Sequence, residues 1–182
     1  MYPFLRMAWQ LWTHRRAAPL PVTGCHVSRH ICLPWDIDLW MELNNGRALT
    51  LYDLGRIPLA VRIGLAGVLR RNRGGLAIAG ASVRYRRRVR VFEGIEMHSR
   101  TVWWDARFFY IEQAMWQRNG TCANHILYRA AVTGQQGIIA PDRVARELGV
   151  EPTPPEAPGW VTAWIAADAA RPWPPMQEPA ED

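Results

Sequence analysis

Residues Pro34–Gly46 read PWDIDLWMELNNG: two carboxylates one residue apart (Asp36 and Asp38), then two asparagines (Asn44 and Asn45), then Gly46. Before this stretch, about Cys25 to Leu33 has strand character and is closed by Pro34. After it, Ala48, Leu51, Tyr52 and Gly55 recur at helical spacing, flanked by Leu49, Leu54 and Ile57. Apolar residues on more than one side predict a buried helix that opens near Asn45. Pro58 is expected to kink or restart it, with a second helical piece running to about Arg71 before Asn72-Arg73-Gly74-Gly75.

Beyond Gly75 the period becomes two. In SVRYRRRVRV, Val83, Tyr85, Val89 and Val91 share one face and Arg84, Arg86, Arg88 and Arg90 the other, with Arg87 marking a bulge. A turn at Phe92-Glu93-Gly94 leads into a strand from about Ile95 to Trp104. Asp105-Ala106 reverses the chain into RFFYIEQAMWQ, and Asn119-Gly120 signals a hairpin into a last strand from about Thr121 to Val132. The expected order is strand, buried helix, then four strands in an antiparallel meander, an α+β arrangement.

A strand, Asp-x-Asp, Asn-Asn at the start of a buried helix, and a long meander together resemble the hotdog-fold thioesterases of the 4-hydroxybenzoyl-CoA thioesterase type. Their pattern is similar to D-x-D-x-x-G-H-x-N-N, matched here by Asp36, Asp38, Asn44 and Asn45, with Met41 at the glycine position and Glu42 at the histidine position. PWDIDLWMELNNGRALTLYDLGR is similar to the acyl-CoA thioesterase-like branch that includes the thioesterase superfamily member 6 proteins. The resemblance extends through ASVRYRRRVRVFE and WWDARFFYIEQ, covering about Cys25 to Val132. It implies an antiparallel sheet wrapped around a long central helix, and hydrolysis of fatty or aromatic acyl-CoA to free acid and coenzyme A. It also implies a homodimer or homotetramer with sites at the subunit boundary, and no cofactor beyond the coenzyme A of the substrate.

Thioester hydrolysis requires a base or nucleophile and a donor where negative charge develops on the carbonyl oxygen. Asp38 aligns with the family's catalytic carboxylate. The helix start at Asn45 and Gly46 offers unpaired amides and the positive dipole end, and one such donor supplies on the order of 3 kcal/mol to a transition state. Asp and Asn before a helix are also ordinary caps. Asp36 is read as structural, and Asn45 as orienting Asp38 or capping the helix. Asn44 and Tyr52 are read as substrate contacts. Arg84, Arg86 and Arg88 could meet the phosphates of coenzyme A, or form a solvated strand face partly paired with Glu96. Glu112 is read as a cross-strand ion-pair partner. His30, His98 and His125 are scattered, without the context of a Ser-His-Asp hydrolase or a zinc site, so no metal is expected. An acyl-thioester or lipid-binding hotdog protein without turnover is the alternative.

The composition is compatible with this reading. The 182 residues are 49% hydrophobic and 21% charged with a net charge of +6, a globular chain that favours anionic partners. Nucleic acid is not expected, because aromatics do not interleave with the basic run. Cys25, Cys32 and Cys122 have no metal-ligand spacing and suggest a reducing cytoplasm. The chain divides into an N-terminal amphipathic helix (1–20), the hotdog domain (21–137) and a helical, Pro-rich extension (138–182). In the extension, Pro141–Leu148 and Trp160–Arg171 are read as short helices and PWPPMQEPAED as a flexible end. Leu5, Ala8, Trp9 and Trp12 lie at i, i+3, i+4 and i+7; this stripe is read first as docking on the domain, with peripheral membrane contact through residues 1–16 as the alternative.

Overall fold

Strand alternation divides the sheet into two faces. Ile95, Met97, Ser99, Ile111, Gln113, Met115, Ile126 and Tyr128 are buried against the central helix, while Arg100, Glu112 and His125 lie on the opposite face. The computed structural model describes residues 2–175; Met1 and the last seven positions of the expected flexible end lie outside the described residues. The elements in chain order are α1 (Phe4–Thr13), β1 (His26–Ile31), α2 (Asn45–Arg62), α3 (Leu65–Arg71), β2 (Gly75–Tyr85), β3 (Gly94–Trp104), β4 (Phe109–Gln117), β5 (Cys122–Gly134), β6 (Gly137–Ile139), α4 (Pro141–Leu148) and α5 (Gly159–Ala169). They form a curled antiparallel sheet with α2 in its concavity, an α+β hotdog architecture.

The strand order is β1-β3-β4-β5-β2, with β6 added beside β5. The meander therefore covers β3, β4 and β5 only. β2 pairs with β5, from Gly75 opposite Thr133 to Tyr85 opposite Asn124, and not with β3. The link explains the difference: residues 86–93 do not form a tight turn but cross in front of the start of α2. On the way Val89 enters the core, its carbonyl accepts from the Leu43 amide (2.8 Å), Arg90 bridges Glu42, and Phe92 and Glu93 bond to Cys32. The alternation of SVRYRRRVRV ends at Tyr85, where the Arg86 and Arg87 amides both donate to the Ala123 carbonyl at 2.9 Å. The expected arginine face is broken there, and Glu96 pairs with Arg29 and His98 instead.

Helix α2 runs unbroken through Pro58, contrary to the expected kink or restart. Proline removes one amide donor, but Leu54, Gly55, Pro58 and Leu59 are all buried, and packing retains the helix. Gly55 sets how closely it approaches the sheet: a Cβ there would lie 2.5 Å from Ser99 Oγ and 2.6 Å from Met97 Sδ. Leu49, Ile57 and Val61 remain exposed on the helix's other side. Helix α5 lies on the outer sheet face, where Val161 is buried with Tyr110 and Leu127 and Arg129 pairs with Asp168 at 3.1 Å.

Candidate active site

The start of α2 is built by short-range chemistry. Asn44 is the N-cap, and its Oδ1 accepts from the Arg47 amide at 3.0 Å. Gly46 leaves room for that cap, since a Cβ would lie 3.3 Å from Asn44 Oδ1. Asp36, fully buried, anchors the approach. One oxygen accepts from Arg47 Nε (2.7 Å), and the other from Arg6 Nη1 (2.6 Å) and the Leu33 amide (3.0 Å). Burial raises its pKa, but donation by Arg47, Leu33 and Arg6 outweighs it and holds the carboxyl below its ordinary value.

Between Asp36 and Asn44 the chain makes a small hairpin. Ile37 bridges Leu43, the Asp38 amide donates to the Glu42 carbonyl (2.9 Å), and the Met41 amide donates to the Asp38 carbonyl (3.1 Å). Asp38 Oδ1 accepts from the Trp40 amide at 2.9 Å, so within one chain its carboxylate stabilises the turn. Met41 has φ 60°, the left-handed region that favours glycine, which accounts for a glycine at the matching place of the family pattern. Leu39, Trp40 and Met41 are exposed at the tip.

A cavity of about 180 Å³ opens beside the first turn of α2. Its lining includes Glu42, Asn45, Tyr85, Arg86, Arg88 and Asn124. The Tyr85 hydroxyl donates to the Asn45 carbonyl (3.1 Å), and Glu42 pairs with Arg88 at 2.9 Å. Behind the cavity, buried Tyr52 donates its hydroxyl to Asn124 Oδ1, and burial raises its pKa so that it stays a neutral donor. Of the residues singled out from sequence, Asn45, Arg86 and Arg88 line this cavity, Asn44 and Gly46 shape the helix start, and Tyr52 reaches it through Asn124. Asp38 is in the adjoining hairpin and is not among the lining residues; Arg84 is opposite His125 on the outer face.

Two further lining residues, Glu42 and Asn124, are not singled out by the sequence pattern as site residues. Glu42 occupies the histidine position of the family pattern and is the carboxylate that lines the cavity; it sits across the hairpin from Asp38, a pairing that the linear sequence does not display. Glu112 is a cross-strand partner, bonded to Arg100 (2.6 Å) and His125 (2.8 Å) on the outer face. Among the described residues no cluster of three metal-binding side chains occurs, all three cysteines are unpaired, and no helix is long and apolar enough to cross a membrane.

Residues 32–165 match the model of the thioesterase-like superfamily. Protein THEM6 of Xenopus laevis is 31% identical over 143 residues, which are 77% of this chain and 67% of that protein. Protein THEM6 of Drosophila melanogaster is 33% identical over 84 residues, 46% of this chain and 44% of that one. The chain thus spans two thirds of the frog protein and less than half of the fly protein. Among solved structures it is similar to YbaW, a probable thioesterase from Escherichia coli (TM-score 0.63, 13% identity, 68% of this chain and 95% of that one). It is also similar to the DHNA-CoA thioesterase from Staphylococcus aureus (TM-score 0.60, 11% identity, 80% and 91%). The chain belongs to the thioesterase-like superfamily and has its hotdog fold.

Proposed function

We propose that this chain is a thioester hydrolase that cleaves fatty or aromatic acyl-CoA to free acid and coenzyme A. The observation that carries the proposal is the cavity at the first turn of α2. There the helix start, a carboxylate and two arginines converge beside the hairpin that holds Asp38. The thioester oxygen is directed at the amides of the first turn, where the helix dipole and donors stabilise the developing oxyanion. Asp38 either removes a proton from water, whose oxygen bonds to the carbonyl carbon, or attacks that carbon itself and is released by water. In both routes the C–S bond breaks, the thiolate leaves with coenzyme A, and the acyl group departs as a carboxylate. Arg86 and Arg88 meet coenzyme A phosphates.

The functional unit is a homodimer with sites at the subunit boundary. The free edge of β2 supports it: eleven residues, GLAIAGASVRY, with Ile78 40% exposed and, among the described residues, β5 as its one paired strand. Such an edge is a template for another strand. A second copy would also cover the apolar hairpin tip beside Asp38.

Thiol release over short, long and aromatic acyl-CoA compounds tests the reading, with Asp38→Asn and Glu42→Gln as variants. Loss of about 10²-fold or more in kcat for Asp38→Asn is expected. The cavity-facing position of Glu42 favours a second assignment, in which Glu42→Gln is inactive and Asp38→Asn is not. Saturable acyl-CoA binding without thiol release would establish a binding protein instead.

A further inference from the structure

Helix α1 is turned the unusual way round. The expected docking stripe lies outside: Leu5 is 89% exposed, Trp9 59% and Trp12 53%, and Phe4 and Ala8 extend the same apolar face. The inward side carries Met7 and the half-buried Leu11, both packed on the core, together with the polar Gln10 and Arg6. Gln10 Nε2 donates to the Arg29 carbonyl of β1 (3.2 Å), and Arg6 Nη2 donates to the Ile31 carbonyl (2.9 Å) while Nη1 binds Asp36. These bonds hold the helix to the edge of the sheet and fix its aromatic side toward solvent. An ordinary surface helix does the reverse.

We propose that this face is a docking surface for an anionic lipid bilayer. Trp, Phe and Leu on one side of a helix with basic residues beside them are the composition of an interfacial helix. Trp9 and Trp12 stack at 5.2 Å between centroids, and the Arg15 guanidinium lies 4.2 Å over the Trp12 ring. Aromatic rings with cations alongside suit the headgroup level. The charge pattern selects this occupant over a second copy of the chain. Residues 1–35 contain no Asp or Glu; Arg6 is spent on Asp36 and Arg29 on Glu96, and Arg15 and Arg16 stand exposed at the end of the aromatic face with no acid of this segment beside them. Two such faces brought together would oppose cation to cation, whereas anionic headgroups complement them. The inference does not depend on the thioesterase reading.

Flotation of the full chain with vesicles is the test, using phosphatidylcholine alone and an equal mixture of phosphatidylcholine and phosphatidylglycerol. The wild type is expected on the mixed vesicles. The double variant Trp9→Ser/Trp12→Ser, both exposed positions, should bind about tenfold or more weakly. Arg15→Glu/Arg16→Glu should lose about fivefold per charge on the anionic vesicles, with little change on the neutral ones. Unchanged thermal unfolding shows that both variants remain folded. The proposal is overturned by a wild type that stays with neither vesicle or by tryptophan variants that bind like the wild type. It is equally overturned by sedimentation showing that the face is buried in a self-assembly those variants dissolve.

Discussion

The two rims of the sheet are finished in opposite ways. At the β1 rim, the Arg29 and Ile31 carbonyls accept from Gln10 and Arg6 of α1, so side chains of the helix satisfy part of the edge. At the β2 rim the eleven-residue strand is paired with β5 on one side, and among the described residues no other strand pairs with its outer edge. Edges that natural proteins leave bare in this way are exceptions that need a partner. The chain itself closes one rim, and the proposed homodimer would close the other; each prediction below loosens one rim or the joint between them.

The largest effect is expected at the closed rim. Asp36 is the point where Arg6 of α1, the Leu33 amide after β1 and Arg47 of α2 meet, with no exposure of its own. Asp36→Ala removes one carboxylate and leaves two arginines without it, so stability should fall by about 3–5 kcal/mol. Chemical denaturation measures this directly, and a loss below about 1 kcal/mol would mean the anchor is dispensable.

Acid should loosen the same rim. His26 and His30 are inward-facing on β1, with Arg62 Nη1 3.1 Å from His26 Nδ1 and Ser28 Oγ 2.8 Å from His30 Nε2. Burial, helped by neighbouring cations, lowers their pKa values to about 4 and about 3. Each therefore binds a proton more readily in the unfolded chain. The stability they contribute is complete above about pH 6.5 and declines as pH falls toward the folded values, on the order of 3 kcal/mol for the pair by pH 5. Asp36, held below its ordinary pKa, stays ionised through that window. A thermal midpoint that is flat between pH 7 and pH 5 would contradict the burial of these imidazoles as neutral rings.

The open rim is broken by charge. Ile78→Asp puts a carboxylate on an exposed edge position beside the bulge at Ala79, where a second copy would have to bury it. About a hundredfold weaker self-association is expected, with thiol release falling in parallel if the subunit boundary completes the site. Analytical ultracentrifugation reads the first and the thiol assay the second. Equal assembly in wild type and variant would place any subunit contact elsewhere.

How much of this was legible beforehand differs between the rims. Asn44 and Asn45 before a stripe of Ala48, Leu51, Tyr52 and Gly55 located the start of α2, because capping and periodicity are local. Strand order was not legible at β2: which strand it joins depends on residues 86–93 crossing the helix mouth, and Val89 and Arg90 show that only through contacts with Leu43 and Glu42. The orientation of α1 was hidden for another reason. A stripe of Leu5, Ala8, Trp9 and Trp12 identifies residues that share a face, not the side to which that face turns. Here unpaired carbonyls of β1 drew Arg6 and Gln10 inward. At the site, a match to a histidine position does not say where Glu42 points; the pairing of Ile37 with Leu43 and the crossing segment at Arg88 set that, and both are non-local.

The smallest effect is expected at the joint between the rims, where the hairpin 37–43 meets the segment that follows β2. Met41 holds φ 60° there, with its side chain 60% exposed, so it contributes little packing in return for an unfavourable backbone. A left-handed residue with a Cβ costs about 1–2 kcal/mol, and part of that gain is returned when glycine loses more entropy on folding. Met41→Gly should therefore stabilise the chain by about 0.5–1 kcal/mol, a small rise in thermal midpoint. Because the same turn positions the Asp38 carboxylate through the Trp40 amide, thiol release in this variant carries the more informative reading. Activity that holds or rises with stability means the hairpin geometry belongs to the backbone conformation alone. Activity that falls while stability rises means the Met41 side chain takes part at the subunit boundary, and the open rim then extends to the hairpin tip.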